Sequence, residues 1–391
     1  MKIACFGYDF FAKFLGAPRR GSRDIISTFS RLRAALLMGV LIISLAFDGA
    51  CQSERKVIGV QLPLTGPVSS WGLDCKDGLD LVFKEIPPPL LNHLDIVYQD
   101  DQVTPKLAVG IAKRFFNDNN LLALVSFSTS IALAISPISL NYQVPFLAFS
   151  GHPDLIAKNP NVFDHWPDYS IETAQYLEFL REVNPKRIAT ITYEHDYTLA
   201  IRERFNQGAL AQGREVVIDE TVTGEIDARA IVSRVLRNSP EFIFLNLFEP
   251  HFSSLLKALK ERRFSGKLLT GSGNITADLL SSMSSAITDG VVFFTPNYQG
   301  ASEFLGRLAN LKRKPQDVGN VFACYVGARR LVAGIMNTAA TGDLTASRLL
   351  TAMREIKEVD LGARKLPVID RRIQYDFLKG IARNGAIDFK R

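Results

Sequence analysis

The chain has 391 residues, with 46 Lys+Arg against 40 Asp+Glu, a formal charge of +6 and 47% hydrophobic residues, a globular composition that excludes intrinsic disorder and a disulfide-dense scaffold. Its length predicts two domains or one large one, with ample buried core. The basic excess marks no polyanion partner: residues 1–50 carry seven Lys/Arg against three Asp/Glu, leaving 39 against 37 over the rest, with the signs interspersed and no footprint for nucleic acid.

Ala34–Phe47 is an uninterrupted apolar run, preceded by Arg31 and Arg33 and followed by Asp48-Gly49-Ala50-Cys51. A spanning helix needs about 20 apolar residues and the hydrophobic region of a signal peptide about 7–15, so 1–51 reads as an export signal rather than an uncleaved anchor. Cys51 stands where a bacterial lipoprotein signal places its lipid-accepting cysteine, although Asp48 occupies a place that is usually aliphatic. Lipidation at Cys51 and ordinary cleavage nearby both stay open, and either leaves the same body outside the cytoplasm.

From Lys56 onward, short β-branched runs alternate with amphipathic stretches. Strand VIGVQL (57–62) precedes helical spacing at Cys75, Leu79, Val82, Phe83 and Ile86, stopped by prolines 87–89. Strand 94–100, helix 105–118, strand 121–127, helix 129–141 and strand 144–149 complete a first set, and a Gly/Pro/His/Asp-rich break follows at 150–168. A second set runs through helix 170–183, strand 187–193, helix 197–212, strand 215–222, helix 227–238, strand 242–247, helix 251–263, strand 267–271, helix 276–285 and strand 290–296. A basic connection (306–317), helices 318–338 and 345–356, and a two-stranded tail, RRIQYDF and AIDFKR, close the chain. Such βα repetition predicts parallel sheets covered by helices, hence two α/β lobes. Lobe 1 takes 56–163 and 299–360, and lobe 2 takes 169–290 and 361–391. The crossings at 162–168 and 290–298 are not Gly/Ser linkers, which favours a hinge. Cys75 and Cys324 lie far apart with no CxxC; an oxidising compartment would allow a disulfide between them, but the spacing does not support one, and two buried thiols are favoured.

The chemistry of catalysis is missing from the pattern. His93, His152, His165, His195 and His251 are scattered without metal-ligand spacing, no phosphate loop or GxSxG elbow occurs, and Gly271 and Gly273 lack the strand–turn–helix context of a dinucleotide site. No enzyme, metal or cofactor is expected. In open α/β sheets ligands sit outside the carboxyl ends of the strands, against helix N-termini. Those ends hold Ser126-Phe127-Ser128-Thr129-Ser130, Ser150-Gly151-His152-Pro153, Glu194-His195-Asp196-Tyr197, Phe248-Glu249-Pro250 and Ser272-Gly273-Asn274, with Trp71, Trp166, Tyr169 and Tyr298 as aromatic walls. Hydroxyls, free amides and aromatic faces suit a small carboxylate. Trp166 and Tyr298 alone read better as interlobe packing.

The stretches VIGVQLPLTGPVSSWGLDCKDGLDL, VYQDDQVTPKLAVGIAKRF, LVSFSTSIALAISPISLNYQVPFLAFSGHPDL and FACYVGARRLV together resemble the leucine/isoleucine/valine-binding protein family of substrate-binding proteins, in order and over nearly all of 56–391. The resemblance implies an α/β, two-lobed type I periplasmic binding-protein fold, each lobe a mostly parallel sheet flanked by helices, that closes on a small-molecule ligand and docks on the membrane permease of an ABC importer. It implies a monomer in the periplasm, or one lipid-anchored at the outer face of a membrane. A ligand sensor of the same fold, reporting to a regulatory partner, is the alternative. By resemblance the ligand's carboxylate falls to Ser128, Thr129, Ser150 and Gly151, with Tyr197 and Phe248 facing them, although Thr198 stands where a glycine is usual. The acidic residue that pairs with an ammonium in amino-acid-binding members is replaced by Ser272, within Thr270-Gly271-Ser272-Gly273. Either Glu249, Asp196 or Asp168 supplies that charge, or the ligand is an organic acid, aromatic acid or amide without an α-ammonium; the second is favoured.

Overall fold

The computed structural model describes residues 55–390, so the segment 1–51 expected as an export signal, with Ala34–Phe47 and the lipidation candidate Cys51, lies outside the described residues. The first lobe opens with β1 (Lys56–Leu62), α1 (Ser69–Phe83), α2 (Pro88–Leu91), β2 (Leu94–Asp100), α3 (Pro105–Phe116), β3 (Leu121–Phe127), α4 (Thr129–Ser139), β4 (Phe146–Phe149), α5 (Pro153–Lys158) and β5 (Val162–Asp164). The second lobe holds α6 (Tyr169–Val183), β6 (Arg187–Tyr193), α7 (Asp196–Ala211), β7 (Glu215–Val222), α8 (Ala228–Arg237), β8 (Phe242–Asn246), α9 (His251–Glu261), β9 (Lys267–Thr270), α10 (Ala277–Ser282), α11 (Ser285–Thr288) and β10 (Val291–Pro296). The chain returns to lobe 1 for α12 (Ser302–Leu308), α13 (Val318–Ala340), α14 (Ala346–Glu355), β11 (Glu358–Asp360), β12 (Lys365–Ile369) and β13 (Arg372–Ile373). It ends in lobe 2 with β14 (Phe377–Arg383) and β15 (Ala386–Lys390).

The sheets run β11-β12-β13-β5-β4-β3-β1-β2 and β15-β14-β10-β9-β8-β6-β7. Helices cover both faces of their parallel parts, so the central strands are largely apolar: LLALVSF in β3 and FIFLN in β8 are buried at nearly every position. The helices supply single apolar faces, as in α3, where Ala108, Ile111, Ala112, Phe115 and Phe116 are buried. In each lobe the first strand lies between its next two, β1 between β2 and β3, and β6 between β7 and β8. The winding direction reverses there, which leaves a crevice at the carboxyl ends of the strands.

Three crossings join the lobes, at 165–168, 297–301 and 374–376. The boundary expected at 361 therefore moves: β12 and β13 belong to the first sheet, where Leu366, Val368, Ile373 and Tyr375 join the first-lobe core. The stretches expected as hinges, 162–168 and 290–298, begin in strands β5 and β10, and the break at 150–168 contains α5. The hairpin expected from RRIQYDF instead divides between β13 and the start of β14, because the third crossing runs through it.

Cys75 and Cys324 are not free thiols, as expected from their spacing, but form a disulfide with Cα atoms 5.2 Å apart across 249 residues of sequence. The reason is the close approach of α1 and α13. A Cβ built on Gly78 would lie 2.3 Å from the Val321 carbonyl oxygen, so only glycine lets these backbones meet. Gly78→Ala is expected to destabilise the protein by about 1–3 kcal/mol through overpacking, read as a lower urea midpoint.

Candidate functional site

A cavity of about 310 Å³ lies between the carboxyl ends of the two sheets, at the small end of the range for small-molecule sites. On the lobe 1 side, β3 delivers Phe127 and the chain turns through Ser128 at φ +82° into α4. A non-glycine residue held there stores local strain, a feature that clusters at binding sites. No side chain caps α4, so its first N–H groups and dipole end remain for another acceptor. Thr129 is hydrogen-bonded to the Tyr169 hydroxyl, and Ser150 Oγ lies 3.1 Å from Thr129 Oγ1 and 3.2 Å from Tyr169 OH. These three hydroxyls form one buried polar pole.

The lobe 2 wall is aromatic. Phe248 stands edge-on to Trp71 of lobe 1 with ring centroids 4.8 Å apart, and stacks on Tyr197 at 6.3 Å. Direct contact of Trp71 with Phe248 across the cleft describes closed lobes. The Tyr197 hydroxyl points away from the cavity, donating to Glu172 Oε1 at 2.5 Å, where Tyr176 also donates at 2.6 Å. Burial drives the Glu172 carboxyl upward from its ordinary pKa, and the two phenols pull it back. Tyr197 thus presents its ring to the cavity. His195 caps α7, its Nδ1 accepting from Tyr197 N at 3.2 Å, and burial lowers its pKa, which favours the neutral ring.

Trp71, Ser128, Thr129, Ser150, Tyr197, Phe248 and Ser272 all line this cavity. Gly151 does not: a Cβ there would fall 1.9 Å from the Pro167 carbonyl oxygen, so its smallness serves the approach of the first crossing. Thr198, in place of the usual glycine, is buried and donates to the Tyr193 and His195 carbonyls. Trp166 lines the cavity as well as packing between the lobes, whereas Tyr298 packs against Phe304, Phe322 and Phe389.

None of the acids weighed for the place left by Ser272 reaches the cavity. Glu249 accepts from Ser253, Asp168 caps α6 and pairs with Arg372, and Asp196 is the first residue of α7. Sequence reasoning missed Asp317 and Asn320, both in the wall. Asp317 is the N-cap of α13, its side chain accepting from Gly319 N at 2.8 Å, and an aspartate just before a long apolar helix is the signal that could have found it. No lysine or arginine lines the cavity. Among the described residues no cluster of His, Cys, Asp or Glu could hold a metal ion, and no helix is long and apolar enough to cross a membrane.

The sequence profile of a periplasmic binding protein family matches residues 57–373. The chain is similar to the Leu/Ile/Val-binding protein of Escherichia coli K12, 25% identical over 320 residues that cover 77% of this chain and 84% of the relative. Its fold is similar to that of a leucine-binding protein from Thermotoga maritima MSB8, with a TM-score of 0.75 at 20% identity, covering 86% of this chain and 98% of the other. It is likewise similar to a solute-binding protein of an ABC transporter from R. palustris in complex with 4-hydroxybenzoate, with a TM-score of 0.75 at 18% identity, covering 86% and 96%.

Proposed function

The chain belongs to the periplasmic binding protein family, a family of solute receptors rather than enzymes, and from that premise we propose that it is the exported receptor of an ABC importer and encloses a small carboxylate between its lobes. The observation that carries this reading is the pole formed by Thr129, Ser150 and Tyr169 at the uncapped start of α4, facing an aromatic wall. Hydroxyl donors and a helix N-terminus hold a carboxylate without a cation. Trp71, Tyr197 and Phe248 then take its apolar part. The relatives include proteins that bind leucine, isoleucine or valine and one in complex with 4-hydroxybenzoate, all of them compounds of that kind. The contact of Trp71 with Phe248 supports closure of the lobes around the ligand.

Calorimetry with a panel of amino acids and of aliphatic and aromatic acids is expected to find a carboxylate bound at micromolar affinity or tighter. Thr129→Val should weaken it roughly 10- to 100-fold, as loss of a hydrogen bond to a charged group does. The corresponding alcohol should not bind. Small-angle scattering should show a smaller radius of gyration with ligand than without. Equal binding of acid and alcohol, or an unchanged Thr129→Val variant, would remove the reading.

A further inference from the structure

The aromatic wall of lobe 2 rests on a carboxylate that does not itself reach the cavity. Glu172, in the first turn of α6, is 1% exposed and lies outside the wall. A buried carboxylate is costly unless it is paired, yet among the described residues no cation pairs with this one. The positive end of α6 and a set of aromatic donors hold it instead. The Tyr176 and Tyr197 hydroxyls both donate to Oε1, at 2.6 and 2.5 Å, and the Trp166 indole is a third donor beside the carboxylate.

These donors are not equivalent. Tyr176 is fully buried against Phe244 and Phe294 of the second sheet and takes no part in the wall. Tyr197, in the first turn of α7, has its ring in the wall and its hydroxyl on Glu172. That ring stands edge-on to Tyr169 with centroids 5.2 Å apart, and stacks on Phe248 at 6.3 Å. Tyr169 carries one hydroxyl of the polar pole, and Phe248 makes the contact with Trp71 across the cleft. A single ring therefore touches both the polar and the apolar side of the site. Without an acceptor at Glu172, two buried phenols would lose their partner at the full cost of desolvation, and Tyr197 would turn to find another.

We propose that Glu172 is a positioning residue for ligand binding: through the Tyr197 hydroxyl it sets the Tyr197 ring against Tyr169 and Phe248 and so gives the cavity its lobe 2 face. The inference rests on the reading that this cavity takes a small carboxylate. Glu172 touches no ligand, and it acts as a hydrogen-bond acceptor that spares the ligand the cost of ordering the wall.

Titration calorimetry with leucine, 4-methylpentanoate, 3-phenylpropanoate and 4-hydroxybenzoate as probes tests this. Glu172→Leu, which has no acceptor, should weaken the tightest probe roughly 5- to 50-fold, as the loss of one or two aromatic contacts would. Glu172→Gln keeps a carbonyl oxygen for both phenols and should stay within about threefold of the wild type. Tyr197→Phe should lose about as much as Glu172→Leu, and combining the two should add less than about threefold, because both break one linkage. Tyr176→Phe removes a hydrogen bond from the same oxygen but leaves Tyr197 tied, so its affinity should hold even if its melting temperature falls. A Gln variant as weak as the Leu variant, losses that add in the double variant, or a Tyr176→Phe loss equal to that of Tyr197→Phe would each overturn the inference and make Glu172 a structural group alone. Should Glu172→Leu not fold, the two tyrosine variants decide: unchanged binding in Tyr197→Phe overturns it, and a loss confined to Tyr197→Phe upholds it. In all these outcomes the wild type binds a carboxylate and that reading stands. A wild type that binds none of the probes ends the carboxylate reading, and the inference with it.

Discussion

Replacing Cys75 and Cys324 together with alanine, or reducing their bridge, is expected to lower the unfolding free energy of lobe 1 by about 2–5 kcal/mol. The two cysteines are 249 residues apart, so the bridge closes a loop that contains the whole excursion into lobe 2. In a chain-entropy account such a loop lies near the upper end of the effect, although the gain flattens with length. Both cysteines are fully buried in the first-lobe core, and the reduced thiols would still pack as small apolar groups. The fold should therefore persist, with a lower melting temperature rather than collapse. At about 2–4 °C per kcal/mol for a unit of this size, scanning calorimetry should show the first-lobe transition falling by roughly 5–15 °C. The second-lobe transition should hold, since neither cysteine touches its core. A bridge that contributed nothing would leave both transitions in place under reductant. The disulfide also fits an oxidising compartment outside the cytoplasm.

Local pattern carried most of the architecture and little of the long-range detail. The βα alternation from 56 to 296 is legible because parallel strands buried on both faces must be apolar runs, and β3 and β8 are such runs. Ser128, Thr129, Ser150, Tyr197, Phe248 and Ser272 could be named because their strands end where open sheets expose helix N-termini and loops. The cysteine bridge left no mark, since what brings Cys75 to Cys324 is the bare backbone at Gly78 on α1 meeting Val321 on α13, helices that lie far apart in the chain. Strand β12 was hidden by Pro367, and the two-residue β13 owes its place to pairings with β12 and, through Arg372 and Asp164, with β5. Asp317 was missed for a different reason. Its position follows from Asp74 gripping the backbone ahead of α13, a contact across more than two hundred residues that no periodicity reveals.

The pairing of β13 with β5 leads to the second large effect. Arg372→Ala is expected to cost about 3–5 kcal/mol at pH 8, because it strands a buried carboxylate. The Arg372 guanidinium lies 3.4 Å from Asp164 Oδ2 and 2.7 Å from Asp168 Oδ2, and donates to the Pro153 carbonyl at 3.1 Å. Asp164 is fully buried, and its other oxygen has no partner. Burial pushes the Asp164 carboxyl well above its ordinary range, and Arg372 pulls it part of the way back. For an acid whose folded pKa exceeds its unfolded value of about 3.9, the folded state binds more protons between the two, so its ionisation weakens the fold as pH rises through that window. Removing Arg372 raises the folded pKa further and widens the window. The deficit of the variant should therefore be full at pH 8 and shrink toward pH 5 as Asp164 takes up a proton, which urea unfolding at the two values would read directly. Arg372→Lys should fall between, since one ammonium cannot span both carboxylates. An equal deficit at both pH values would mean that Arg372 acts by packing alone. Asp164 is the last residue of β5 in the first sheet and Asp168 caps the first helix of lobe 2, so Arg372 straddles a crossing between the lobes. Loosening it should change how tightly the lobes close as well as how stable they are, and ligand affinity should fall in the Arg372→Ala variant even though Arg372 touches no wall of the cavity.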